Sequence, residues 1–444
     1  MSSAREAAFS ALLHVDVNEG YSNIVLDKTL SSFSLDQRDK SLASAIFYGV
    51  LERRITLDYI ISQFSKTPVH KISPQILEIL RIGAYQILYL DKIPKSAAVN
   101  ESVNLAKTNQ AVKASGFINA VLRELLRNLD RIQMPDAEKE PLLYLSVQYS
   151  CPQWLIELWQ QAYGKDTTVR LLESTFDKPP VFARINNTII DTESLIQKLD
   201  AEGVKANAIT WLNAAIELQQ TGAISQSACF QEGFFHVQDL SSQLCCTLFH
   251  PAAGERILDV CSAPGGKAFT IAEIMGNQGE LVAFDKYKGK VNLIRQGAQR
   301  LKLNIIQTAV RDAAEGKDAL EPADRVLCDV PCSGLGIIRR KPEIRYKIKS
   351  AIDSLPNLQY RILCESSKLV KDKGILFYST CTLNPKENSE VANQFLRNND
   401  EFEALPLDLT NEIHHAIAEP ENQLTLMPHV HGTDGFFMAA FRKK

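Results

Sequence analysis

Apolar residues recur every three to four positions through the first 130 residues, and then the rhythm changes. In "ASGFINAVLRELLRN", Phe117, Val121 and Leu125 share one helical face with Leu122 and Leu126 beside them. "QILEILRIGAYQILYL" repeats the pattern with Ile76, Leu80 and Tyr85. Such a period predicts amphipathic helices, and the breaks "SFSLDQRD" and "DKIPKS" separate them into an all-α bundle over residues 1–130. At "RIQMPDAEKEP", residues 131–141, the pattern dissolves into charge and proline, which predicts a linker. Residues 142–235 read as a small α+β segment, with a helix at "PQWLIELWQQAYG" and a strand at "PVFARINN". From 236 to 444 the chain alternates short apolar runs with helical stretches. The runs "RILDV", "ELVAF", "IIQTAV", "DRVLCDV" and "GILFYST" predict a parallel, doubly wound sheet.

A chain of 444 residues, 45% hydrophobic and 23% charged, has the composition of an ordinary globular protein. A net charge of −3 supplies no global attraction to nucleic acid, so any RNA site has to be a local basic patch. The opening "MSSAREAAFSALLHV" carries charges inside its apolar period, which excludes a signal peptide. No run approaches the ~18 apolar residues of a membrane span. Together these predict a cytoplasmic protein without membrane contact. Nine cysteines are spread through the chain without C-x-x-C pairs. The nearest approach, Cys328 and Cys332, has no second pair, so no metal site is expected.

The chemistry gathers at the predicted strand ends. "LDVCSAPGGKAFTIAEIM" reads as strand, small-residue turn and helix, where Gly265 and Gly266 admit a ligand to the backbone. The helix N-terminus then offers free N–H donors. The turn lacks both the G-x-G-x-x-G dinucleotide fingerprint and the G-K-[ST] of a P-loop, which argues against a dehydrogenase and against a pyrophosphate ligand. The next strand ends in Asp285, 19 positions after Gly266, about where an acid meets ribose hydroxyls in nucleoside-binding α/β folds. Asp312 follows the third strand, in reach of an adenine amino group. Taken singly, each acid is an ordinary solvated strand end. Taken in succession, they favour a nucleoside-bearing cofactor without a pyrophosphate, such as S-adenosylmethionine.

Two further strands end in cysteine-bearing turns that each hold a proline. "DVPCSG" contains Asp329, Pro331 and Cys332, and "STCTLNPKENS" contains Cys381, Pro385 and Lys386. One such cysteine alone is most simply a buried strand-end thiol. Two of them beside a cofactor pattern reverse that preference toward a catalytic pair, and the residues alone leave open which cysteine attacks. Asp329, in the turn of Cys332, is a candidate acid beside them.

These stretches resemble a known family. "DVCSAPGGK", "DVPCSGLG" and "YSTCTLNPKENS", with "FFHVQDLSSQL" before them and "HGTDGFFMAAF" after, are similar to the signature motifs of the RNA 5-methylcytosine methyltransferases of the NOL/NSUN/Sun group. The helical segment in front resembles the RNA-binding antitermination factor NusB. A NusB-like domain ahead of this catalytic unit is the arrangement of the RsmB (Sun/Fmu) family. The resemblance implies a Rossmann-like class I methyltransferase domain that modifies small-subunit ribosomal RNA, working as a monomer. Transfer RNA is the second substrate to weigh, and an inactive RNA-binding assembly factor is the non-enzymatic alternative. It further implies that Cys261, Ser262, Ala263, Pro264, Gly265, Gly266, Lys267, Asp285, Asp312 and Asp329 line the cofactor site. Cys381 matches the family's nucleophile, and Cys332 matches the cysteine that assists release. One departure is "RRKPEIRY", where Lys341 and Glu343 replace the family's usual His-Pro-Asp run.

A basic run follows the first cysteine turn. Arg339, Arg340, Lys341, Arg345, Lys347 and Lys349 surround Tyr346, and so close to the active-site turn they predict a phosphate-binding lip with a stacking tyrosine. Arg184 and Asn186 of the middle segment are expected to extend that surface. A base reaching a cysteine has to be unstacked, so a loop or flipped nucleotide is the expected substrate.

Overall fold

The computed structural model describes residues 3–18, 22–219, 222, 224–316, 320–408 and 421–444. They form two compact units: Met1–Asp177 with Ile338–Lys347, and Lys178–Ile337 with Ile348–Lys444.

The first unit is helical. Its centre is the helix Pro74–Tyr89, which buries residues on every face, as an interior helix of a bundle must. Gly83 permits that burial, because a Cβ there would lie 2.5 Å from a Leu122 methyl carbon. The charge this helix carries inward, Arg81, is matched by Asp58 at 2.6 and 2.7 Å and by Glu78. Helix Ser115–Arg127 presents Ile118, Val121, Leu122 and Leu125 to the core, while the expected Phe117 and Leu126 sit at its margin.

The structure draws the unit boundary later than residue 142. Helices Pro141–Tyr149, Gln153–Tyr163 and Lys165–Ser174 belong with the bundle. Thr56 Oγ1 donates to Val147 O at 2.6 Å, and Ser150 Oγ accepts from Ile55 N at 2.9 Å. The charged stretch 131–141 is therefore a bend inside one unit.

The basic run also belongs here, and this corrects the phosphate-lip expectation for two of its residues. Arg345 is 1% exposed, and its Nη1 donates to the carbonyls of Glu52, Tyr149 and Ser150 at 3.1–3.3 Å. Those carbonyls close helices Gln37–Glu52 and Pro141–Tyr149, where unsatisfied acceptors and the helix dipole both call for a cation. Tyr346 donates to Leu51 O at 2.8 Å, so its ring is not held out for stacking. Glu343 accepts from Ser22 N at 2.9 Å, at the start of helix Ser22–Ser32. A segment read as an RNA surface is in large part a cap for three helix ends.

The second unit holds two sheets. The smaller contains β1 (Val181–Ile185), β2 (Lys205–Ala208), β3 (Ala215–Gln219) and β4 (Phe235–Val237), antiparallel in the order β2-β3-β1-β4. Arg184 and Asn186 are buried in it rather than facing solvent. Arg184 pairs with Glu273 at 3.3 Å, and Asn186 donates to the carbonyls of Gly233 and Leu301. Their polar groups anchor this sheet to the larger one, which corrects the expected RNA role.

The larger sheet contains β5 (Arg256–Asp259), β6 (Glu280–Asp285), β7 (Ile306–Val310), β8 (Ala323–Asp329), β9 (Val370–Thr380), β10 (Phe402–Ala404), β11 (Gln423–Leu426) and β12 (Phe436–Lys443). Its order is β10-β12-β9-β8-β5-β6-β7, with β11 also paired to β12. The five expected strands are the parallel ones. The sheet is nevertheless mixed, because β12 runs antiparallel to β9. Its run "FFMAAF" is buried on both faces, so it carries no alternation to mark it as a strand. The chain moves outward from β5 to β7 and then returns to β8 on β5's other side. This reversal opens a crevice at the carboxyl ends of β5 and β8, where α/β sheets bind ligands.

Candidate active site

The site gathers at the carboxyl ends of the parallel strands, in their last residues and the turns that follow. After β5, the turn through Cys261, Ser262, Ala263 and Pro264 leads to Gly265, whose φ of +110° and contact with the Phe269 ring exclude a side chain. Helix Gly266–Ile274 begins there without a side-chain cap, leaving its first N–H groups for a ligand. Asp285 closes β6. It is 8% exposed, and its Oδ1 accepts from Tyr287 N at 3.0 Å. Asp312 follows β7, bound to Lys286 Nζ at 2.8 Å, and that ammonium holds its carboxyl below the usual range.

Sequence reasoning passed over Asp259, the last residue of β5. It is fully buried, and neither carboxylate oxygen has a hydrogen-bond partner. Burial pushes its pKa up to about 7. An orphaned buried carboxyl beside a glycine turn, with a second acid at the neighbouring strand end, fits a ligand that carries an amine and a ribose. S-adenosylmethionine has both. The signal in the sequence was the acid that ends "RILD" ahead of the turn.

After β8, Asp329 Oδ2 accepts from Lys267 Nζ at 2.7 Å and Oδ1 accepts from Ser379 Oγ at 2.8 Å. Burial opposes charge on Lys267, but the Asp329 carboxylate outweighs it and lifts the ammonium above its ordinary range. Lys267 therefore belongs to the acid of the site as much as to the glycine turn.

Three residues beyond Asp329 stands Cys332, and directly after β9 stands Cys381. The fold brings their sulfurs to 3.3 Å. Cys381's sulfur and then burial push the Cys332 thiol well above its ordinary pKa. Lys386, the cation nearest to Cys381 in sequence, has an exposed side chain and bonds the site only through its backbone N–H to Asn384. The turn Pro385–Glu387 is a single 3₁₀ turn, and the helix proper starts at Ser389.

Known proteins can be set against this geometry. A family model described as 16S rRNA methyltransferase RsmB/F matches residues 246–442. The NusB family model matches residues 2–127, and an RsmF/B-like ferredoxin-like domain matches 151–225. A Bacillus subtilis protein named probable ribosomal RNA small subunit methyltransferase B is 36% identical, over 100% of this chain and 99% of its own length. The chain belongs to the RsmB/F methyltransferase family. A Synechocystis member with the same name is 37% identical over the full length of both proteins. The structure of a methyltransferase homolog protein from Pyrococcus horikoshii is 27% identical, with a TM-score of 0.59 over 68% of this chain and 99% of its own. Another solved structure, at 24% identity, matches the fold over 99% of this chain with a TM-score of 0.85. The NusB region, the ferredoxin-like sheet and the class I methyltransferase sheet are thus all family features. Among the described residues no helix is long and apolar enough to cross a membrane.

Proposed function

We propose that this protein transfers a methyl group from S-adenosylmethionine to carbon 5 of a cytosine in 16S ribosomal RNA, through a covalent bond between Cys381 and carbon 6. The observation that carries the reading is the sulfur pair at 3.3 Å, set at the ends of adjacent parallel strands beside an acid–lysine pair. Small-subunit ribosomal RNA is the substrate that the relatives' names point to.

Bound S-adenosylmethionine supplies an electrophilic methyl group. Asp285 and the N–H groups opening helix Gly266–Ile274 hold and orient it, and Asp259 and Asp312 complete the polar lining. Cys381, as thiolate, adds to carbon 6 and pushes electron density toward ring nitrogen 3. Asp329, protonated once the base is bound, gives its proton to ring nitrogen 3 and recovers it when Cys381 departs, while Lys267, bonded to it in the resting site, holds it in place. Carbon 5 becomes nucleophilic and takes the methyl group. Cys332 then removes the carbon 5 proton, the electron pair reforms the ring double bond, and Cys381 departs. For phosphate contacts our candidates are the half-buried Arg340 and Lys341. Arg339 is only 9% exposed, less suited to that role.

The reading is tested with labelled methyl donor and the free small-subunit RNA or its assembling particle. Bisulfite sequencing is expected to show one protected cytosine that is unprotected in cells lacking the protein. Methylation confined to transfer RNA would overturn the substrate. Asp285→Ala is expected to weaken S-adenosylmethionine binding by roughly 1–3 kcal/mol, the cost of unpaired buried polar groups, as read by calorimetry. Unchanged affinity would remove Asp285 from the site.

A further inference from the structure

Glu387 lies six residues after Cys381, and its side chain is sealed from solvent at 0% exposure. A carboxylate buried that deeply ordinarily demands a cation. Here its hydrogen bonds come from neutral donors. Oε2 accepts from Ser333 N at 2.8 Å and from Gln359 Nε2 at 2.9 Å. Oε1 accepts from Ser333 Oγ at 2.6 Å and Asn384 Nδ2 at 2.9 Å, while Thr382 Oγ1, 3.5 Å away, gives its proton to Ser333 Oγ. The donors fall into two groups. Ser333 adjoins Cys332, and Gln359 also holds Pro331 O at 3.0 Å. Thr382 adjoins Cys381, with Asn384 just beyond. A direct bond between the hydroxyls of Ser333 and Thr382, 2.6 Å long, closes the ring of contacts.

We propose that Glu387 is a positioning residue whose buried carboxylate sets the separation of the two cysteine-bearing turns, and with it the handover between Cys381 and Cys332. Each turn alone is a short loop at a strand end, and the strands fix only its root. Gly336 N also donates to Cys381 O at 3.0 Å, and beyond that backbone bond the carboxylate is the side-chain group that gathers donors from both loops. It suits the task because it accepts at both oxygens, while a neutral amide must aim an N–H at one set of donors. The consequence for catalysis rests on the two-cysteine reading given above; the consequence for geometry does not.

The test is Glu387→Gln, which preserves shape and removes one acceptor. A bifunctional alkylating probe that fluoresces only after each of two thiols has displaced one bromide reports the spacing directly, with Cys332→Ala giving the background. The cross-linking rate is expected to fall about tenfold, and kcat about 10²-fold with the KM for RNA unchanged, since misplacement near 1 Å carries costs of that order. Cofactor affinity, read by calorimetry, is expected to stay within twofold. Unchanged cross-linking in a folded variant would overturn the proposal. If Glu387→Gln does not fold, Ser333→Ala decides: it removes one hydroxyl donor, and a smaller loss in the same direction is expected, with no loss overturning the clamp. Slower cross-linking with full methylation would uphold the clamp and fault the two-cysteine mechanism.

Discussion

Cys381→Ala, mixed with 16S RNA and S-adenosylmethionine, is expected to yield no methylated cytosine and no covalent complex. Cys332→Ala is expected to do something different. It retains attack and methyl transfer, then stalls as enzyme bonded through Cys381 to methylated RNA, because nothing removes the carbon 5 proton. A denaturing gel with labelled RNA separates these outcomes, since only a covalent species survives denaturant. The trapped band should vanish in the double variant. A trapped band from Cys381→Ala would reverse the assignment.

The second large effect is expected at Asp329. Asparagine keeps the shape and can still accept from Ser379, but it cannot carry a proton to ring nitrogen 3. General acid catalysis is worth about 10²–10⁴-fold, and the single-turnover rate should fall by that amount. The same change strands the Lys267 ammonium, which is 11% exposed at its side chain. Breaking a buried pair from one side costs about 3–5 kcal/mol, so the melting temperature should drop as well. Asp329→Asn with Lys267→Met removes the unpaired charge, and is expected to regain stability without regaining activity. Recovery of both would make the pair structural and leave the acid to be found elsewhere.

The parallel strands and the site acids were legible in the sequence because strand-end chemistry follows a local rule: an apolar run, a small turn, then a polar residue. Asp285, Asp312, Asp329, Cys332 and Cys381 all obey it. Glu387 does not, since nothing local marks an acid in "NPKENS" as buried, and its partners Ser333 and Gln359 lie 54 and 28 positions away. Asp259 was hidden for the opposite reason, as the last residue of a strand whose turn drew the attention. Arg345 and Tyr346 misled because charge clustering reports composition and not direction. A cation that satisfies helix carbonyls looks, in one dimension, like a cation facing a phosphate. The unit boundary at 177 was likewise out of reach, because the bonds of Thr56 and Ile55 to Val147 and Ser150 join residues about ninety positions apart.

The cap made by Glu343, Arg345 and Tyr346 has a bearing on how the protein is made. The helical unit leaves the ribosome first, yet three of its helix ends wait for residues 338–347. At elongation rates of ~5–20 residues per second, synthesis of the intervening 178–337 takes on the order of ten seconds or more. Throughout that interval the carbonyls of Glu52, Tyr149 and Ser150 lack the Arg345 guanidinium. The first part to be synthesised is therefore completed only after four of the larger sheet's eight strands have been translated, and a chain that stops short of residue 338 leaves its helical unit without those caps.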